Sequence, residues 1–224
     1  SGDDRRRQGG GGMRHALDLS AYLVLDPVLC APLGMAETAG AAISGGIRIV
    51  QLRHKTASTA ERVEIGRALR AAMQGSGARL VVNDDAEAAV ALQADGLHVG
   101  QGDMPAAAAR AAIGSKMALG LSVETEAHAR AVDRGLVDYV GVSLVFGTPT
   151  KPDHARPVGI DGLARIVALC PVPAVGIGGL GPAHARDVLR AGAAGLAVVS
   201  AICGQPDPAA AARDLVEAVR EART

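Results

Sequence analysis

The chain has 224 residues, 49% of them hydrophobic, and its 23 basic and 23 acidic side chains cancel. That length suits one sizeable core and is too short for two comfortable domains. A net charge of zero and only three aromatic residues (Tyr22, Tyr139, Phe146) exclude the basic footprint and stacking platform of a nucleic-acid binder, and no apolar run approaches the ~20 residues of a membrane span.

Ser1–Gly12 has no apolar segment and ends in glycines, so it reads as a disordered extension or cloning remnant ahead of a single domain spanning residues 13–224. From Leu17 onward, short β-rich runs recur at Leu19–Leu25, Ile47–Leu52, Leu80–Val82, Gly96–Val99, Met117–Leu121, Tyr139–Val142, Ala174–Ile177 and Leu196–Val199. Between them lie segments of helical composition, such as Thr59–Gln74, Glu124–Arg134, Gly162–Leu169 and Pro182–Ala191. The last segment, Pro208–Arg223, places Ala212, Leu215, Val216 and Val219 at the three-and-four spacing of an amphipathic helix. Eight strand-like runs alternating with helical segments predict an α/β fold, a (β/α)8 TIM barrel. A doubly wound open sheet shares the spacing, and the count of eight favours the barrel. Cys30, Cys170 and Cys203 are odd in number and lack ligand spacing, as expected of reduced, mostly buried thiols in a cytoplasmic protein.

In such a barrel the C-terminal ends of the strands face the ligand. After Val50, alternation puts Gln51, Arg53 and Lys55 on one face, three donors of which two are cationic, suited to phosphate oxygens. The next two runs stop on carboxylates: Leu80–Val82 on Asn83-Asp84-Asp85, and Gly96–Val99 on Gly100-Gln101-Gly102-Asp103. Acids from adjacent strand ends suit Mg²⁺, which takes few protein oxygens and fills its octahedron with water and phosphate. Each of these acids also precedes a helical segment and could be a helix cap; for Asp85, directly before Ala-Glu-Ala-Ala, the cap is the better reading. His98, inside a strand, reads as a hydrogen-bonded barrel histidine rather than a ligand or base. The run Met117–Leu121 leads to a hydroxyl at Ser122.

The longest loop, Ser143 to Val158, carries Thr148-Pro149-Thr150-Lys151, hydroxyls and a lysine able to grip an anion. The last two runs end in Gly176-Ile177-Gly178-Gly179 and Val198-Val199-Ser200, where glycines let backbone N–H groups approach an anion at the common phosphate site of these barrels. The mouth therefore offers two anion sites, one of them metal-capable. Two phosphorylated small molecules, one a diphosphate with Mg²⁺, would fill both.

These motifs together resemble the thiamine-phosphate synthase family. The likeness runs from Tyr22 to Ala222 and is carried by Gln51-Leu52-Arg53-His54-Lys55, Val82-Asn83-Asp84-Asp85, Gly96 to Asp103, Thr148-Pro149-Thr150-Lys151, Gly176 to Gly179 and Val199-Ser200. The resemblance implies a (β/α)8 barrel that condenses a pyrimidine methyl diphosphate with a thiazole phosphate and releases pyrophosphate by a dissociative route. It assigns Gln51, Arg53, Lys55, Asn83, Ser122 and Lys151 to the pyrimidine diphosphate, with Arg53, Lys55, Ser122 and Lys151 catalytic. Asp84 and Asp103 would hold Mg²⁺, and Thr148, Thr150, Gly179, Val199 and Ser200 the thiazole phosphate. The loop after the sixth strand would exclude water from the reacting centre. The chain departs from the family pattern at His54, where an acid is usual, at Ser143-Leu144, where Gly-Pro is expected, and at Glu124, where histidine is frequent. A sister thiazole tautomerase shares the barrel but uses a histidine near Glu124. A non-catalytic barrel that binds a thiamine precursor would have little use for the acid pair and its three cations. A phosphosugar isomerase barrel would share the glycine site without needing Gln51–Lys55. A homo-oligomer is compatible with the same sequence.

Overall fold

Strands buried on both faces read as unbroken apolar runs, and those runs become eight parallel strands: β1 (Ala21–Leu25), β2 (Ile49–Leu52), β3 (Arg79–Asn83), β4 (Gly96–Val99), β5 (Ala118–Val123), β6 (Tyr139–Val142), β7 (Ala174–Ile177) and β8 (Gly195–Val198). The structure is a computed structural model and describes residues 17–148 and 156–224; Ser1–Gly12, Thr150 and Lys151 lie outside the described residues. The strands pair in sequence order, and β8 pairs back with β1 to close the barrel. The helices are α1 (Met35–Ser44), α2 (Thr59–Ala72), α3 (Ala86–Ala91), α4 (Ala106–Ile113), α5 (Glu126–Arg130), α6 (Gly159–Leu169), α7 (Ala185–Arg190) and α8 (Pro208–Ala222).

Alternation along each strand divides the core into two layers. Tyr22, Val24, Ile49, Val81, Tyr139, Val175 and Ala197 fill the barrel interior, while Leu23, Val50, Leu80, Leu97, Leu119 and Val140 pack outward against the helices. Side-chain caps start several helices. Ser58 and Glu61 form a reciprocal capping box on α2, Asp85 caps α3, Thr125 caps α5 and Asp207 caps α8. Such caps contribute about 1 kcal/mol each.

The boundaries differ from the sequence pattern where local chemistry intervenes. The segment expected from Glu124 to Arg134 shortens to α5, because Thr125 caps it and its C-cap falls at Ala131. The segment opening at Pro182 begins as a 3-10 turn, Pro182–His184, before α7. Strand β5 extends past Leu121, with Ser122 paired to Gly141 and Val123 to Val142, so Ser122 belongs to the sheet itself.

At the N-terminal end of the barrel, the buried Asp95 and the partly buried Asp138 tie neighbouring strands together. Asp95 accepts from Leu80 N–H (2.9 Å), Arg70 (3.0 Å) and Arg79 (3.0 Å). Asp138 accepts from Leu119 N–H (2.8 Å) and Arg110 (2.6 Å). Cys30, Cys170 and Cys203 carry free thiols. Among the described residues no helix is long and apolar enough to cross a membrane.

Candidate active site

The strand ends converge on a cleft at the C-terminal mouth that encloses about 880 Å³, open solvent at its entrance included. Gln51, Arg53, Asn83, Ser122, Thr148, Gly179, Val199 and Ser200 all line it. Among the other residues that line it are Tyr22, Asp26, His98 and Leu144, which the sequence pattern does not mark for function. Arg53 lies 3.9 Å from Asp26, whose other carboxylate oxygen is fixed by the N–H groups of Val28 and Leu29, both at 3.0 Å. Asp26 thereby sets a fixed negative charge beside the guanidinium at the cleft wall.

Lys55 does not follow Gln51 and Arg53 into the cleft. Strand β2 stops at Leu52, so alternation no longer governs position 55, and the ammonium turns to the rim to pair with Asp84. Asp84 has φ 63°, a left-handed conformation that aspartate tolerates better than most residues. Its N–H donates to His98 O at 2.8 Å, which carries the hydrogen-bond ladder of β3 and β4 to its end. Asp103 reaches the same point from the loop after β4, its carboxylate accepting the Gly100 N–H at 2.9 Å.

Neither acid is a helix cap: the N-cap of α4 is Pro105, and Asp85 takes the cap of α3, accepting Ala88 N–H at 2.8 Å beside Arg62 and Thr59. Burial pushes the Asp84 carboxyl above its ordinary pKa, and the facing Asp103 adds to this against the pull of Lys55. Burial also opposes ionisation of Asp103, but Asp84, the Gly100 N–H and the charge of Lys55 outweigh it and hold that carboxyl below the ordinary value. The two facing carboxyls thus shift in opposite directions, Asp84 up and Asp103 down. Asp84 Oδ1 is buried and accepts no hydrogen bond. An orphaned acceptor beside a second carboxylate is an all-oxygen donor set that suits a hard divalent cation.

The opposite side of the cleft is glycine-built. Gly178 (φ 108°) and Gly179 (φ 61°) turn the chain after β7. A Cβ on Gly179 would lie 2.9 Å from Gly147 O and 2.9 Å from Phe146 Cβ, so only glycine lets the loops after β6 and β7 touch here. Main-chain bonds clamp the contact: Val145 N–H to Ile177 O and Phe146 N–H to Gly178 O, both 3.0 Å. The far end of the same loop returns to it, with Val158 N–H on Leu144 O and Gly159 N–H on Val145 O, both 2.9 Å. Ser143 and Leu144, which depart from the family pattern, are buried at the base of this clamp. It holds Thr148 at the cleft, while Thr150 and Lys151 fall outside the described residues.

His98 is engaged at both ring nitrogens, by Tyr139 Oη (3.1 Å) and Ser122 Oγ (3.0 Å), as expected of a hydrogen-bonded barrel histidine. The sequence carried one signal for the residues it missed: Tyr22, His98 and Tyr139 are the only polar rings at inward positions of the described strands.

The family model described as thiamine monophosphate synthase matches residues 21–202. A thiamine-phosphate synthase of Xanthobacter autotrophicus is 48% identical over 211 residues, covering 94% of this chain and 100% of its own. One from Moorella thermoacetica is 43% identical, covering 90% and 96%. Among solved structures, a thiamine phosphate pyrophosphorylase from Pyrococcus furiosus superposes with TM-score 0.83 at 34% identity, covering 92% of this chain and 98% of that one. The matched span takes in every described strand, the cleft and its acidic rim, and the chain belongs to the thiamine monophosphate synthase family.

Proposed function

We propose that the protein is a Mg²⁺-dependent thiamine-phosphate synthase, a transferase that joins 4-amino-2-methyl-5-(diphosphooxymethyl)pyrimidine to a thiazole phosphate and releases pyrophosphate. The observation that carries this reading is the acidic rim. A buried Asp84 oxygen has no partner, Asp103 faces it, and Lys55 stands beside it, next to a cleft with Arg53 on its wall. A barrel that bound only one phosphate at its glycine loops would have no use for that rim. Asp84 and Asp103 would hold Mg²⁺, which when bound supplies positive charge to neutralise the departing pyrophosphate.

The chain's own residues divide the remaining work. Gln51, Asn83 and Ser122 orient the pyrimidine; Arg53, Lys55 and, on the family pattern, Lys151 offset negative charge as it develops on the leaving group. Thr148, Thr150, Gly179, Val199 and Ser200 hold the thiazole phosphate. The bond between the pyrimidine's methylene carbon and the diphosphate oxygen breaks with its electron pair leaving on pyrophosphate. The thiazole nitrogen then donates its lone pair to form the new carbon–nitrogen bond. No proton need be removed by a strong base at that step, which agrees with a cleft whose histidine has both nitrogens occupied.

The test mixes purified protein with both phosphorylated halves and Mg²⁺. Thiamine phosphate and pyrophosphate should form together in equal amounts. Tautomer exchange of the thiazole alone, or binding of either half without conversion, would overturn the reading. Glu124, which directly follows β5 where the tautomerase pattern has histidine, weighs against the first of those outcomes.

A further inference from the structure

A run of buried polar groups crosses the floor of the cleft, and the chemistry above makes no use of its middle. Gln51 Nε2 donates to Tyr22 Oη at 2.7 Å. Tyr22 Oη lies 2.9 Å from Tyr139 Oη, which lies 3.1 Å from His98 Nδ1. His98 Nε2 lies 3.0 Å from Ser122 Oγ. The two ends, Gln51 and Ser122, are substrate contacts of the proposed reaction, while both tyrosines are 1% exposed. Residues as far as 117 positions apart are joined this way.

The barrel is shaped around this chain of contacts. Gly120 on β5 is in register with both His98 on β4 and Tyr139 on β6. A Cβ at Gly120 would lie 2.3 Å from Tyr139 Cζ and 2.4 Å from His98 Nδ1. The intervening strand is therefore bare at the level where the two rings meet, and any side chain there would part them.

Placing the hydrogens gives the chain a direction. Each hydroxyl and the neutral imidazole contribute one hydrogen, and the Gln51 amide has already given one to Tyr22. Tyr22 must then donate to Tyr139, Tyr139 to His98 Nδ1, and His98 Nε2–H to Ser122 Oγ. Every buried group is satisfied, as low-dielectric surroundings require. With Gln51 donating, the opposite direction would give Tyr22 two donors and leave its own hydrogen without an acceptor. A flipped Gln51 amide would reverse every bond and make Ser122 the donor to the ring nitrogen, so the tautomer of His98 reports which arrangement exists.

We propose that Tyr22, Tyr139 and His98 are positioning residues forming a polarised relay that holds His98 as its Nε2–H tautomer and so turns Ser122 into a hydrogen-bond donor toward the bound ring. At the other end it locks the Gln51 amide with its oxygen turned away from Tyr22. The ligand edge that fits is a heteroaromatic ring offering a lone pair to Ser122. Only this last step rests on the synthase reading; the relay itself stands on the hydrogen-bond geometry.

The experiment has two arms. Long-range ¹H–¹⁵N correlation of the unliganded full chain at about pH 8, where an ordinary histidine is neutral, resolves the six histidines, with His98 assigned by its loss in His98→Gln. The relay requires a bare Nδ1 and a protonated Nε2. A protonated Nδ1, or an even mixture of tautomers, would overturn it. In the second arm, Ser122→Ala and Tyr139→Phe should each lower kcat/KM for the pyrimidine diphosphate by roughly tenfold. The double variant should lose less than the product of the two single losses, because Tyr139 acts in part through Ser122. Losses that multiply would mean Tyr139 merely packs, and would overturn the relay. Should Tyr139→Phe fail to fold, the spectrum of the unmodified protein still decides. Should the unmodified protein make no thiamine phosphate, the functional reading fails while the tautomer continues to test the relay.

Discussion

The two ends of this barrel treat aspartates in opposite ways. At the N-terminal end, Asp95 accepts two arginines and a main-chain N–H, and Asp138 an arginine and a main-chain N–H. At the mouth, Asp84 keeps one buried oxygen with no partner, and its other neighbours are a half-exposed lysine and a second acid. The same residue type is a stitch at one end and an open acceptor for positive charge at the other. Satisfied carboxylates stabilise a fold, whereas a crowded and partly orphaned one costs stability and persists where a ligand needs it.

The largest effect that would sharpen this contrast is at Asp84. Asp84→Asn should lower Mg²⁺-supported turnover by about 10³-fold, in line with loss of charge stabilisation at a reacting group. Because the carboxyl's ionisation is disfavoured in the fold, the same change should leave the thermal midpoint unchanged or slightly raised. A clear loss of stability would show Asp84 to be a stitch like Asp95.

The converse change is Asp95→Ala. It strands Arg70, Arg79 and the Leu80 N–H at once, and should cost about 3 kcal/mol in urea melts, while kcat of the folded fraction stays normal. A fall in kcat with normal stability would erase the distinction between the ends. Gly120→Ala tests the level between them. Its methyl would intrude on the rings of Tyr139 and His98 and should cost about 2 kcal/mol by overpacking, with a rise in KM for the pyrimidine substrate as Ser122 loses its orientation.

Much of this was legible in the sequence, for identifiable reasons. Strands such as Gly96–Val99 and Tyr139–Val142 are short apolar runs closed by turn residues, and their bounds came out unchanged. Site residues at strand ends, from Gln51 to Ser200, could be placed because a parallel barrel sends all those ends to one face. Lys55 sits beside Asp84 rather than with Gln51 and Arg53, because alternation does not extend past Leu52, the last residue of β2. The relay was legible only as three polar rings within strands, not as a connected chain. Tyr22, His98 and Tyr139 look like ordinary core positions until barrel closure and register bring β1, β4 and β6 round one bare glycine.

The smallest effect concerns an exposed acid in the first turn of α2 that is hydrogen-bonded to its cap and so serves as the control for Asp84. Glu61 accepts the N–H and hydroxyl of Ser58 in the capping box of α2, and these hydrogen bonds hold its carboxyl below the ordinary glutamate value. A depressed folded pKa means the stabilisation is fully present above the unfolded value and is lost as pH falls through the folded one. The unmodified protein should therefore lose slightly more stability than Glu61→Gln between neutral pH and about pH 3, since glutamine keeps a capping-box acceptor that does not titrate. Urea melts of both proteins at the two pH values measure the difference. An identical acid response would show that Ser58 and the exposed Glu61 carboxylate do not hold each other in solution, and Glu61 would no longer serve as the satisfied counterpart of Asp84.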